Sequence, residues 1–253
     1  MSTIARASGD DWDGLWADYG DSTRVNPAQE YRRRLLVRRL RVGGMSRVVD
    51  IGSGQGDLAL MLRRTLPSVE IVGLELGASG VEQARAKVPN ARFVQTDLLR
   101  RQAPGDLAGW GTHATCSEVL EHVDRPEWLL HNAAVYLARG ARLVVTVPGG
   151  PRTAFDRHIG HRRHFTAASL RTVLDRAGFA VERVEAAGFP FFNLYRLVVW
   201  ARGRRLIDDV RGGAASAGAS AATAVQAVFR PLFRFNLPNT PFGWQLVAVA
   251  RKR

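Results

Sequence analysis

From residue 46 onward the chain repeats one unit: a short apolar run, a turn, then a segment with helical spacing of apolar side chains. Runs at 47–51, 69–74, 91–95, 112–116 and 142–147 alternate with helix-like segments at 57–66, 79–88 and 126–138. Parallel strands need long crossover connections, and a crossover helix must bury its apolar stripe against the sheet. The repetition therefore predicts βα units and a doubly wound, Rossmann-like α/β sheet covered on both faces. Thr166 is placed to cap another helix ending at Ala177, and further strands are expected at 179–184 and 245–250.

The flanking segments depart from this pattern. Residues 1–45 read as an N-terminal helical lid, with Trp12, Trp16 and Tyr19 ahead of a helix capped by Asn26 and begun by Pro27. In that helix Leu35, Leu36, Arg39 and Leu40 share one face; Arg32, Arg33, Arg34, Arg38 and Arg41 are expected mostly in solvent. The core takes in 46–187 and 242–253, and 188–241 reads as an insertion with a flexible linker at 211–224. Its aromatics, among them Phe192, Tyr195, Trp200 and Phe233, are interleaved with arginine. That suits a substrate cap, a membrane-facing patch, or core and dimer packing.

The formal charge is +13, but 34 of the 36 basic residues are arginine, Lys87 and Lys252 being the only lysines. Such a skew reports codon usage as much as a polyanionic partner, and no RNA-binding motif accompanies it. Nucleic acid is therefore not the expected partner. A lone Cys116 excludes an internal disulfide and any multi-cysteine metal site. No apolar run reaches the roughly 18 residues that cross a bilayer, and residues 1–13 lack an apolar signal stretch. The expectation is a cytoplasmic protein with, at most, peripheral membrane contact.

The sharpest local signal is VVDIGSGQGD at 48–57, a strand entering a glycine-rich turn and then a helix. Gly52 and Gly54 allow positive φ and a close approach of backbone to ligand. Glu75 ends the next strand, where a carboxylate can accept both hydroxyl hydrogens of a ribose. Asp97 ends the third, where it can accept from an adenine amino group while the Leu98 amide faces a ring nitrogen. Asp57 stands where a dinucleotide fingerprint would have its third glycine, which argues against a nicotinamide enzyme.

Together with VGLEL, QTDLL and CSEVLEHVDRP, these blocks resemble the class I S-adenosylmethionine-dependent methyltransferases over residues 46–186 and 245–250. The resemblance implies a seven-stranded sheet with an antiparallel last strand. It also implies S-adenosylmethionine as cofactor, held by Asp50, Gly52, Ser53, Gly54, Glu75, Leu76, Asp97 and Leu98. Ser117 and Glu118 would lie near its methionine portion. The implied reaction moves a methyl group to a hydroxyl or amine of a small molecule, a natural product or lipid-like compound.

Two histidine clusters compete for roles opposite the methyl group. Glu118, Glu121 and His122 are spaced to share one helical face, and His161 and His164 follow the fifth strand with Arg162 and Arg163 between them. His161, His164 and His122 are the candidate bases, and Arg162 and Arg163 the expected contacts to an anionic substrate. The E-x-x-E-H block is also similar to that of ubiquinone O-methyltransferases and of metal-dependent RNA 2′-O-methyltransferases. That similarity implies a divalent metal on Glu118, Glu121, His122 and one of His161 or His164, but the favoured expectation is the metal-free form of this block, with Glu118 on cofactor or backbone and His122 supporting the loop. RNA 2′-O-methylation and a non-catalytic cofactor-binding protein are the alternative functions.

Overall fold

The computed structural model describes residues 26–43, 45–100, 102–211 and 217–253, with side chains described outside 202–222. The lid aromatics Trp12, Trp16 and Tyr19 lie outside the described residues. Helix α1 (Pro27–Leu40) starts as its sequence dictates: Asn26 accepts the Ala28 amide at 2.9 Å, and Pro27 occupies the first turn, where its missing N–H costs nothing. It ends at Arg41 in the left-handed region.

Strands β1 (Arg47–Ile51), β2 (Glu70–Glu75), β3 (Arg92–Gln95) and β4 (Gly111–Ser117) alternate with helices α2 (Asp57–Thr65) and α3 (Ala78–Lys87). Then come α4 (Pro126–Ala133), β5 (Leu137–Pro148), α5 (Ala154–His158), α6 (Ala167–Arg176) and β6 (Phe179–Ala187). The chain finishes with α7 (Phe191–Arg211), α8 (Ala217–Leu232) and β7 (Gln245–Lys252). The sheet order is β3-β2-β1-β4-β5-β7-β6; the first five strands run parallel, and β7 is antiparallel to both β5 and β6.

Side-chain alternation divides the core. Val49, Val145 and Leu246 face one layer with Leu130, Leu170 and Leu174 of α4 and α6. Their neighbours Val48, Val144 and Val247 face the other, with Leu36, Leu58 and Val81 of α1, α2 and α3. A third cluster joins the insertion to α1: Phe192, Tyr195, Phe229 and Phe233 pack with Ala28 and Tyr31. Four of the insertion's aromatics are thus core, whereas Trp200 and Phe235 are exposed. No described helix is long and apolar enough to cross a membrane.

Two local expectations change. The helix expected through residue 138 stops at Ala133, and β5 begins at Leu137, which pairs with Gly111 of β4. A Cβ on Gly111 would lie 2.9 Å from Leu137 Cδ2, so the strands meet there by close approach, and pairing overrides helical spacing. In the expected linker, residues 217–224 are helical, because alanine's high helix propensity outweighs the flexibility suggested by glycine and serine.

Candidate active site

The carboxyl ends of β1, β2, β3 and β4 bring the sequence-predicted cofactor residues to one edge, where doubly wound sheets hold ligands. The turn after β1 carries Gly52, Gly54 and Gly56 at φ of 70°, 51° and 80°. A Cβ on Gly52 would stand 2.4 Å from Val119 Cγ2, so the turn and the loop after β4 meet across a gap that only glycine leaves. Glu75 is buried at the end of β2 and accepts the Gly54 amide at 2.8 Å and the Gly77 amide at 2.9 Å. It fixes the glycine turn, while half-buried Leu76 follows it.

Asp50 is buried beneath the turn and accepts from Thr115 Oγ1 at 2.8 Å. Burial raises its pKa to about 6, against the hydrogen bond's opposing pull. Asp97 follows β3, accepts the Leu99 amide at 2.9 Å and lies 3.3 Å from Arg100. The Leu98 carbonyl is held by Asn132 at 2.9 Å. Ser53 is buried in the turn, and Ser117 ends β4 with its hydroxyl 3.0 Å from that of Thr146.

Glu118 opens the loop after β4 with φ at 55°, a conformation that non-glycine residues adopt at a cost. Two partners from distant parts of the chain hold it there. Arg32 Nε of α1 lies 3.1 Å from Glu118 Oε2, and Gln245 Nε2 of β7 donates to Glu118 Oε1 at 2.8 Å. The Arg32 Nε also donates to Gln245 Oε1 at 2.9 Å.

That kink removes the helical face expected for Glu118, Glu121 and His122. Only a short 3-10 turn, Leu120–His122, follows, so the carboxylates diverge. Glu118 joins Arg32, whereas Glu121 turns into a closed interior beside His122 and His161. Glu121 has no exposed surface, and its Oε1 lies 4.0 Å from His122 Nε2 and 3.9 Å from His161 Nε2. Among the described residues, neither of its carboxylate oxygens has a hydrogen-bond partner on another residue. Burial, then the charge of Glu118, pushes its pKa well above the usual carboxylate range.

His161 and His164 do meet, with 3.2 Å between His161 Nδ1 and His164 Nε2. His164 Nδ1 lies 3.1 Å from the Gly150 carbonyl, which can only accept. In the neutral pair, His164 therefore carries its proton on Nδ1 and accepts from His161, leaving a lone pair on His161 Nε2. Burial supports neutrality: it pulls His161 down to about 2, with further lowering from His122, and it lowers His164 as well.

Asp156 of α5 was not among the expected site residues, yet its Oδ1 lies 3.8 Å from His161 Nδ1 and 3.7 Å from His164 Nε2. It closes a capping box with Thr153 and pairs with Arg196 of α7 at 3.3 Å. Arg196 also donates to the Gly149 carbonyl at 2.9 Å and lies over Trp244. By contrast Arg162 pairs with the Asp124 carboxylate and Arg163 donates to the Asp124 carbonyl at 2.8 Å, so both brace the loop. The helix arginines are redistributed too: Arg34, Arg38 and Arg41 are exposed, but Arg32 and Arg33 are half-buried and reach Glu118 and Asp57.

Comparison with known proteins is consistent across three levels. The profile of a family described as a methyltransferase domain matches residues 26–184. The chain is 32% identical over 139 residues to a trans-aconitate 2-methyltransferase of Variovorax paradoxus, covering 54% of this chain and 50% of that protein. A trans-aconitate 2-methyltransferase of Delftia acidovorans is 28% identical over 176 residues, covering 69% and 61%. The chain thus spans about half the length of the Variovorax relative. Among solved structures, the [4+2]-cyclase SpnF superposes with TM-score 0.65 at 18% identity, covering 100% of this chain and 99% of that one. A geranyl diphosphate methyltransferase in complex with GPP and sinefungin gives 0.59 at 16%, covering 89% and 78%. One neighbour being a cyclase shows that the fold alone does not fix the chemistry.

Proposed function

The chain belongs to the methyltransferase-domain family, and from that premise we propose an S-adenosylmethionine-dependent methyltransferase acting on a small molecule. Its acceptor is a hydroxyl or amine on a compound that also carries a carboxylate or phosphate. The observation that carries the reading is the meeting of two half-sites at one sheet edge. Backbone amides and carboxylates suited to a nucleoside lie at the carboxyl ends of β1 to β3, and a half-buried arginine–histidine group, Arg32 of α1 with His161, lies beside the loops after β4 and β5.

The cofactor fits the first half-site. Gly52 leaves a gap that a Cβ would fill, and the Glu75 carboxylate that accepts the Gly54 and Gly77 amides stands at the end of β2 beside that turn. When bound, S-adenosylmethionine supplies an electrophilic methyl on a sulfonium leaving group. Glu75 takes the ribose hydroxyls, and Asp97 and the Leu98 amide take the adenine. Asp50, Gly52, Ser53, Gly54 and Leu76 shape the wall, and Ser117 and Glu118 flank the methionine end. Holding acceptor and methyl in line is the protein's main contribution, and such positioning supplies roughly 7–11 kcal/mol.

In the second half-site Arg32 is the anchor for the acceptor's anionic group. Among the described residues, Glu118 and Gln245 both engage its Nε, leaving the terminal nitrogens to reach a ligand. Support comes from the relatives' names, since trans-aconitate is a carboxylate and geranyl diphosphate carries phosphates.

Two measurements test this. Calorimetric titration of the chain with S-adenosylhomocysteine should show one site, and labelled methyl transfer should be screened over small carboxylates, phosphate esters and structured RNA. Transfer to an anionic small molecule, with Arg32→Met raising the acceptor KM by more than it weakens cofactor binding, is the expected outcome. Absence of cofactor binding, or transfer to RNA alone, would overturn the reading.

A further inference from the structure

One strand of the sheet reaches the site from its start rather than its end. Because β7 is antiparallel to both its neighbours, its first residue stands at the edge where the parallel strands finish. That residue is Gln245, in register with Pro148 at the end of β5 and Ala187 at the end of β6, and it has no exposed surface. The chain ahead of it is tightly held. The Gly149 amide donates to the Trp244 carbonyl at 2.8 Å, and the Trp244 amide donates to Asn193 Oδ1 at 3.1 Å. A Cβ on Gly243 would lie 2.4 Å from the Ala187 carbonyl oxygen, so the backbone there has no room to shift.

Both ends of the Gln245 amide are engaged. Its Nε2 donates to the Val147 carbonyl at 3.0 Å and to Glu118 Oε1 at 2.8 Å, and its Oε1 accepts from Arg32 Nε at 2.9 Å. A carbonyl can only accept, so Val147 fixes which way the amide faces. An amide serves an arginine and a carboxylate at once. A glutamate in its place would repel Glu118, and a lysine or arginine would repel Arg32.

We propose that Gln245 is a positioning residue for acceptor recognition, keeping Arg32 and Glu118 out of the two-bond pair they would otherwise form. Arginine and carboxylate favour two parallel N–H···O bonds, which would draw in at least one terminal nitrogen of Arg32. Here the Nε–H goes to Gln245, and Glu118 Oε1 is already taken by the Gln245 amide. Glu118 therefore meets Arg32 through Oε2, 3.1 Å from Nε. The guanidinium also lies over the buried Phe192 ring, 5.4 Å from its centroid, which constrains its plane. The terminal nitrogens are thus left for a carboxylate or phosphate, and one amide sets both their direction and that of Glu118. This role rests on the proposed function, in which Arg32 anchors the acceptor's anionic group.

The test compares the full chain with two variants. Gln245→Met removes both hydrogen-bonding ends; Gln245→Glu keeps the shape and the acceptor for Arg32 but replaces the donor to Glu118 by a second carboxylate. The first readout needs no acceptor: the Arg32 Nε–H resonance of isotopically labelled chain, identified by its loss in Arg32→Met, should shift in both variants. The second is methyl transfer to the anionic acceptor found by screening. Both variants should raise the acceptor KM by about tenfold or more, as for a lost hydrogen bond to a charged group, with S-adenosylhomocysteine affinity falling by less. A residue serving stability alone would lower kcat through the active fraction and leave KM in place. An unshifted resonance overturns the hydrogen bond itself. A shifted resonance with wild-type KM overturns the positioning role, while Arg32 remains the anchor if Arg32→Met still raises KM. A KM that ignores Arg32→Met as well overturns the anchor, and the role with it.

Discussion

Replacing Gly52 by alanine isolates what the glycine turn contributes, because two costs arise there and each can be measured alone. The first is conformational. At φ 70° an L-residue costs about 1–2 kcal/mol, offset by about 0.4–1 kcal/mol from the reduced freedom of the unfolded chain. The second is steric. The new Cβ would stand 2.4 Å from Val119 Cγ2, so the Val119 side chain must move. Overpacking of this kind costs about 1–3 kcal/mol. Gly105 is the control for the first cost, since its φ is 57° and nothing lies within 4 Å of its added Cβ. Gly105→Ala should therefore cost about 1 kcal/mol, and Gly52→Ala about 2–4 kcal/mol. In a Val119→Ala background the Gly52 cost should fall to the Gly105 level, giving a coupling of about 1–3 kcal/mol. Urea unfolding with a shared m-value measures the stabilities, and calorimetry measures S-adenosylhomocysteine affinity, which Gly52→Ala should reduce at least about tenfold, the equivalent of 1.4 kcal/mol. Equal costs for Gly52→Ala and Gly105→Ala, with no coupling to Val119, would refute the close approach between turn and loop.

Other outcomes follow from the same geometry. Glu75→Ala removes the acceptor for two turn amides and the proposed ribose contact, and should weaken S-adenosylhomocysteine binding by about 10–100-fold, at 1.5–3 kcal/mol for a charged hydrogen bond; unchanged affinity in calorimetry would remove Glu75 from the cofactor site. Asp50 has a folded pKa of about 6 against an ordinary 3.8, so the folded state binds the extra proton between those values. Stability from that proton is fully present below about pH 4 and is lost as pH rises through 6, about 3 kcal/mol in all. Relative to wild type, Asp50→Asn should gain about that much between pH 4 and 7.5 in parallel urea unfolding series; a pH-independent difference would contradict the burial argument. Arg39 pairs with Glu185 at 2.6 Å and donates to the Pro238 carbonyl at 2.9 Å, so Arg39→Met should cost roughly 3 kcal/mol. Thermal unfolding should show part of that recovered in Arg39→Met/Glu185→Met.

The strands and the glycine turn were legible because period-2 alternation and a run of glycines constrain the backbone directly. Where the sequence misled, a side chain's direction depended on a distant partner. Arg32, Arg33, Arg34 and Arg38 on α1 look alike by spacing, and only Glu118, fixed by the fold, makes Arg32 an inward residue. Asp156 and Arg196 lie in segments without a motif, and they meet because α5 and α7 pack beside the same loop. E-x-x-E-H was read with helical spacing, and one left-handed residue at its start sent Glu118 and Glu121 to different partners. The apolar Leu120 and Val123 that bracket Glu121 and His122 are the one signal in the sequence that flags Glu121 as enclosed.

The Arg32–Glu118–Gln245 contact has a consequence for how the protein comes into being. Arg32 and Gln245 are 213 residues apart, and both must be in place before Glu118 is held. As the chain leaves the ribosome, the turn and acids proposed to hold the nucleoside are all present once Leu98 has emerged. The acceptor side is not complete until β7 slides between β5 and β6. The two halves of the site thus mature at different times. A nascent or prematurely terminated chain could carry a nearly finished cofactor cradle for some 150 residues of synthesis without the residue that secures its neighbour.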